Sequence, residues 1–221
     1  MKAILIDLDD TLFSELSYVH SGYKEVAEAI ADYNGLDSED VLNQMKYQLS
    51  KYGRIGVFDN VKKYFETDSL DTSSLVNLYR AHSPNIELYW KAEEGLRMLR
   101  RKFKLAIVTD GHPTVQRKKI KALDLNNLVD EVIYCMDYDA PKPSLIPYFE
   151  AIDKLGVEIE DVIIVGDDPY YDMKAAALLG VTSYRLLQGK HIFIKSLKDA
   201  SPDADFGSFF TVAHFLSGEN T

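Results

Sequence analysis

The chain has 221 residues, 46% of them hydrophobic and 27% charged, enough apolar content for one large domain or a domain with an insert. Its net charge of −10 without a long basic run argues against a nucleic-acid groove or a membrane surface as partner; small phosphorylated compounds stay open, because a local site can be positive or hold a metal. The single cysteine, Cys135, excludes an intrachain disulfide framework and a multi-cysteine zinc site and fits a reducing compartment.

The apolar run Ala3–Ile6 opens the chain and reads as a buried parallel strand. It is too short for a signal-peptide core, and no run approaches membrane-spanning length, so the expectation is a soluble cytoplasmic protein, monomer or homodimer. The strand ends in three acids, Asp7, Asp9 and Asp10. Like charges this close resist ionising unless a cation or hydrogen-bond donors offset them, so the cluster needs solvent or a metal. Asp7 and Asp9 are two apart and point to one side of an extended chain, which suits one shared metal and one reacting group. Taken alone, Asp-Asp-Thr also reads as a solvated, helix-capping turn.

Residues 14–90 carry helical periodicity and no convincing strand. Val19, Tyr23, Val26, Ala27 and Ile30 mark one helix, stopped by Gly35, and Val41, Leu42, Met45 and Leu49 mark a second, opened by Ser38 and ended by Gly53. Asp59-Asn60 and Asp71-Thr72 stand before two more apolar runs, and Tyr47, Tyr52, Phe58, Tyr64 and Phe65 read as the core of this helical insert. From Glu87 the pattern alternates. Helices Ala92–Lys102, Pro113–Leu123, Ser144–Leu155 and Pro169–Leu179 interleave with strands Lys104–Thr109, Glu131–Tyr134, Val162–Val165 and Val181–Leu186. A last helix spans Ser208–Leu216, and Ser217–Thr221 should fray. The expected fold is α/β. A three-layer, Rossmann-like parallel-sheet core (1–13 and 91–221) carries an inserted all-helical domain (14–90).

Ligands of open parallel sheets sit at the carboxyl ends of the strands. The second strand ends in Thr109-Asp110-Gly111, where a hydroxyl and the start of the helix at Pro113 make an anion pocket. The third is followed by Pro141-Lys142-Pro143, which fixes the direction of the lysine, and Pro143 can start the next helix. The fourth ends in Gly166-Asp167-Asp168-Pro169. There Asp168 reads as a helix cap, Asp167 as the better metal ligand, and Asp172 as a first-turn acid facing back to the site. Oxygen ligands without histidine or cysteine favour Mg²⁺. A hydroxyl, backbone amides, a lysine and Mg²⁺ form a phosphate cradle, and a carboxylate beside it can attack phosphorus to give an aspartyl phosphate.

These four motifs, in this order, resemble the haloacid dehalogenase-like superfamily of Asp-nucleophile phosphohydrolases, and the helical insert resembles its C1-type cap. The resemblance implies a Mg²⁺-dependent phosphatase for a small phosphorylated metabolite. It makes Asp7 the nucleophile and Asp9 the acid for the leaving group, then the base for water. It implies metal binding by Asp7, the backbone carbonyl of Asp9, and Asp167, with Asp172 and Asp168 in an outer shell. Thr109 and Lys142 would hold the phosphoryl group, and Asp110 stands where the family often has asparagine. An acid at Asp9 favours phosphate esters over carbon–halogen bonds. A sugar-phosphate mutase on the same core is the alternative, and a non-catalytic binding member is a further one. Specificity is expected in the cap, with Arg54 of Gly53-Arg54-Ile55-Gly56 as the substrate contact; His20 and Arg80 read as helix-surface residues.

Overall fold

The computed structural model describes residues 2–67 and 70–218. They divide into two compact units: Leu16–Asn85, and the residues up to Glu15 together with those from Ile86 onward.

The helical unit holds α1 (Glu15–Asn34), α2 (Ser38–Tyr52), α3 (Val57–Tyr64) and α4 (Thr72–Ala81). The α1 stripe Val19, Tyr23, Val26, Ala27 and Ile30 is buried against Val41 and Met45 of α2, Val57 and Val61 of α3, and Leu75 of α4. Asp37 starts α2, its carboxylate accepting from the amides of Glu39 (2.8 Å) and Asp40 (3.2 Å), and Asp71 starts α4 by accepting from the Ser74 amide (2.9 Å). Two expectations are corrected. The third helix begins at Val57, so Asp59 and Asn60 lie inside it rather than before it. Tyr47, Tyr52 and Tyr64 are not core: each is about half exposed or more, because the buried stripe of their helices runs through Val41, Met45, Val57 and Val61. The ammonium of Lys51 lies over the rings of Tyr47 and Tyr52 at 5.4 and 5.0 Å.

The other unit is the expected α/β sheet, with six parallel strands: β1 (Ala3–Ile6), β2 (Lys104–Thr109), β3 (Glu131–Tyr134), β4 (Val162–Gly166), β5 (Thr182–Leu186) and β6 (Ala204–Phe206). Their order is β3-β2-β1-β4-β5-β6, which puts β1 in the middle, with Leu5 opposite Ala106 on one side and Ile164 on the other. Beside them lie α5 (Ala92–Arg100), α6 (Pro113–Ala122), α7 (Ile146–Leu155), α8 (Asp172–Leu179) and α9 (Phe209–Ser217). Alternation sends Ala3, Leu5, Ala106, Val108, Val162 and Ile164 to one face, buried under Tyr148 and Ala151 of α7 and Met173 and Ala176 of α8. On α5, Gly95 lets α9 approach closely: a Cβ there would stand 3.0 Å from that of Ala213.

Several elements and boundaries differ from expectation. The edge strand β6 was not expected, because three residues, Ala-Asp-Phe, carry too little alternation to read. The helix after the third strand starts at Ile146 with Pro147 in its first turn, not at Ser144 or at Pro143; the Lys142–Pro143 peptide is cis. The helix after the fourth strand starts at Asp172 rather than Pro169, since the Asp168 carboxylate accepts from the Tyr170 amide (2.8 Å) and closes a turn first. Ser217 is the last residue of α9, while residues 219–221 lie outside the described residues. No helix among the described residues is long and apolar enough to cross a membrane.

Candidate active site

The carboxyl ends of β1, β2 and β4 and the loops after β3 and β5 meet around a cavity of ≈ 210 Å³. Asp7 continues β1 by one ladder bond, its amide donating to Val165 O at 2.9 Å. Its carboxylate meets the Lys142 ammonium at 2.6 Å, and the same Nζ lies 2.7 Å from Asp172. Lys142 is buried, and the loop that carries it is pinned by its own amide, which donates to the Asp110 carboxylate at 2.9 Å. Asp172 reaches the site because α8 begins beside Gly166, where a Cβ would collide with the Asp172 carboxyl group. Carboxylate oxygens of Asp7, Asp167 and Asp172 all lie within 4.8 Å of one another.

Burial dominates the electrostatics. It pushes Asp7 up to about 7 against the opposing pull of Lys142, and Asp167 up to about 6 despite a hydrogen bond from His191. Asp172 is raised for the same reason, again opposed by Lys142. Burial also works against the charge of Lys142, but Asp172 and Asp7 outweigh it and hold its pKa well above the ordinary lysine value. Asp7 and Asp172 thus share one lysine, while Asp167 is paired with His191. Their donor set is all oxygen, with negative charge in excess, and it fits a hard divalent cation such as Mg²⁺.

The remaining acids have other duties. Asp10 does not join the group: it is buried, with its carboxylate accepting from the amides of Glu15 (2.9 Å) and Lys190 (3.2 Å), so it ties the β1 loop to the loop after β5. Gly189 is required at that junction, since its φ is +64° and a Cβ would run into the Asp10 side chain. Asp9 lines the same cavity as Asp7, but its carboxylate takes different partners, Gln116 at 2.8 Å and Lys119 at 2.6 Å. The left-handed turn of the chain comes at Asp10, whose φ is +57°. Thr109 is buried and accepts from Gln116 at 2.6 Å. Arg54 belongs to the helical unit, where it lines a cavity of ≈ 240 Å³ with Tyr23, Phe58 and Tyr79.

Four side chains escaped the sequence reading. Gln116 and Lys119 sit on the buried stripe of α6 with Val115 and Ile120, and a lysine and an amide on such a stripe were the available signal. His191 follows β5 and meets Asp167 at 2.8 Å and Asp168 at 3.2 Å; checking the end of the fifth strand as well would have found it. Arg185, fully buried in β5, donates to Asp167 O (3.1 Å) and His191 O (2.7 Å) and holds that loop in place. The more open cleft of ≈ 830 Å³ beside Trp90 has no comparable convergence, and its Arg97 and Glu93 pair with each other at 2.8 Å.

The chain is 27% identical over 200 residues to a glyceraldehyde 3-phosphate phosphatase of Methanocaldococcus jannaschii, covering 86% of this chain and 87% of the relative. It is 25% identical over 181 residues to the pyrophosphatase PpaX of Halalkalibacterium halodurans, covering 77% and 76%. The crystal structure of a HAD phosphatase from Thermococcus onnurineus superposes with a TM-score of 0.65 at 24% identity over 100% of both chains, a likeness of fold. Residues 1–180 match the family described as haloacid dehalogenase-like hydrolase, and the chain belongs to that family.

Proposed function

We propose that the chain is a cytoplasmic, Mg²⁺-dependent phosphatase that cleaves a small phosphorylated metabolite through an aspartyl phosphate on Asp7. The observation that carries this reading is the Lys142 ammonium bridging Asp7 and Asp172 inside a group of three carboxylates at the strand ends. In the first step an Asp7 oxygen attacks phosphorus and the P–O bond to the leaving group breaks. Asp9 gives that oxygen its proton. In the second step water attacks the phosphoaspartate, Asp9 takes the water proton, and phosphate leaves with Asp7 regenerated. Lys142 steadies the attacking carboxylate and offsets charge on the transferring group, with the Thr109 hydroxyl as a donor. Asp7, Asp167 and Asp172, with the Asp9 carbonyl, would hold Mg²⁺, which supplies the positive charge that keeps these buried acids ionised and neutralises the phosphoryl oxygens.

Relatives acting on glyceraldehyde 3-phosphate and on pyrophosphate support the class of substrate without choosing one. The helical unit is read as the cap and the seat of specificity, with Arg54 as a substrate contact; unchanged KM in Arg54→Ala would remove that assignment. The test of the whole reading is phosphate release from a panel of phosphorylated metabolites, with Mg²⁺ or with EDTA, for wild type and Asp7→Asn. Metal-dependent release lost in the variant is the expected result. Isomerisation without release would point to a mutase, and no turnover by folded, Mg²⁺-loaded protein would point to a binding role.

A further inference from the structure

Asp9 is gripped from one helix. Gln116 and Lys119 stand three apart on α6, so they share a face one turn apart. Gln116 Nε2 donates to Asp9 Oδ2 at 2.8 Å, and Lys119 Nζ meets Asp9 Oδ1 at 2.6 Å. Both carboxylate oxygens are therefore held, and each holder is itself fixed. Lys119 has a side chain only 4% exposed, and its ammonium lies 5.7 Å from the centre of the Phe13 ring. Gln116 is 1% exposed, and the same Nε2 also donates to Thr109 Oγ1 at 2.6 Å. That second bond uses an acceptor site of the hydroxyl and leaves the Thr109 hydrogen to be donated; its nearest recorded acceptor, Asp110 O, is 3.5 Å away. Burying a lysine and an amide has a large desolvation cost that a surface helix need not bear. The carboxylate that both of them meet is Asp9.

We propose that Gln116 and Lys119 are positioning residues: together they fix the Asp9 carboxylate at the cavity wall, and Gln116 also orients the Thr109 hydroxyl as a donor. This rests on the reading of Asp9 as acid and base. Both act through Asp9, and neither gives or takes the proton itself. Their effect is to hold Asp9 where the leaving oxygen departs, and displacing a positioned group by about 1 Å costs on the order of 100-fold in rate.

Leaving-group dependence distinguishes positioning from mere support of the fold. An alkyl phosphate needs a proton on its leaving oxygen, whereas p-nitrophenolate leaves without one. The experiment measures kcat/KM with Mg²⁺ for glycerol 3-phosphate and p-nitrophenyl phosphate. It uses wild type, Asp9→Asn, Lys119→Met, Gln116→Ala and the Asp9→Asn/Lys119→Met double variant, each checked for folding by circular dichroism. Gln116→Ala serves if Lys119→Met fails to fold, and Lys119→Arg is the conservative rescue. Expected for Lys119→Met is a fall of about 100-fold on the alkyl ester and under about 5-fold on the aryl ester; Gln116→Ala, which also frees the Thr109 hydroxyl, should lose on both esters and more on the alkyl one. Lys119→Arg should recover part of the loss, and Lys119→Met should add nothing once Asp9 is asparagine. Equal losses on both esters, or a fully additive double variant, overturn the inference alone. Absence of an ester split in Asp9→Asn itself overturns the reading of Asp9, and the inference with it.

Discussion

Replacing Lys142 with methionine tests whether the buried lysine holds the site together electrostatically. The substitution keeps the length and most of the apolar volume of the side chain and removes one charge. In the wild type that charge meets Asp7 at 2.6 Å and Asp172 at 2.7 Å, and the side chains of Lys142 and Asp172 are each 3% exposed. Without it two buried carboxylates lose their common partner, and breaking such a pair from one side costs about 3–5 kcal/mol. For a chain of this length that is a fall of roughly 10 °C in melting temperature. The pH dependence identifies the cause. Burial raises Asp7 from 3.8 to about 7 even with Lys142 present, so the folded state binds a proton more tightly than the unfolded chain. Such a group costs stability as pH rises from the unfolded pKa and reaches its full cost at the folded pKa. Removing Lys142 takes away the interaction that lowers Asp7 and Asp172, and it extends their cost to higher pH. Lys142 itself stays charged throughout, since its folded pKa lies well above 10.5. The gap between wild type and Lys142→Met, measured as melting temperature in EDTA, should therefore be small near pH 5 and largest at pH 8. A gap of equal size at both values would refute the electrostatic account and leave only packing.

Other consequences follow from the same contacts. Asp167→Asn removes a buried acid raised to about 6, so it should weaken Mg²⁺ binding by calorimetry yet leave the metal-free protein no less stable at pH 8. Gly166→Ala places a Cβ against the Asp172 carboxyl group; displacing the start of α8 should cost about 1–3 kcal/mol in urea unfolding and lower Mg²⁺ affinity as well. Arg185→Met leaves the carbonyls of Asp167 and His191 without their donor, and limited proteolysis should then cut between β5 and β6 faster than in wild type. Cys135 is fully buried, and burial pushes its thiol well above the ordinary range, so a thiol-reactive dye should label it only after denaturant is added.

What the sequence made legible is what local patterning encodes. A strand buried on both faces reads as an unbroken apolar run, and acids at the end of such a run stand out because burial penalises them. Asp7, Asp167 and Asp172 stand out that way, after β1 and β4, Lys142 stands out by its two flanking prolines, and the strand order puts β1 and β4 side by side. The misreadings share a different cause, since one residue can serve two local structures. Asp168-Pro169 has the form of a cap and a first helical residue, yet the same carboxylate closes a turn on Tyr170, and the helix waits until Asp172. Asp10 looked like a third acid in need of a cation, but two backbone amides that arrive from Glu15 and Lys190 satisfy it.

The side chains left unseen were those whose meaning depends on a partner far along the chain. Lys119 is 110 residues from Asp9, and Arg185 is 18 from the carbonyl it supports. Periodicity still carried half of the information, because Lys119 and Gln116 fall on the face of α6 that Val115 and Ile120 mark as buried. A charged residue on a buried stripe must have a counter-charge, and the acids already placed at the strand ends were the available ones. Asp9 was among them. A reading that matches every buried cation to a strand-end acid would pair Lys142 with Asp7 and Asp172, and would look to Asp9 for Lys119. Such matching narrows the choice of partners before any coordinates exist, whereas the distances that fix each pair come only from the fold.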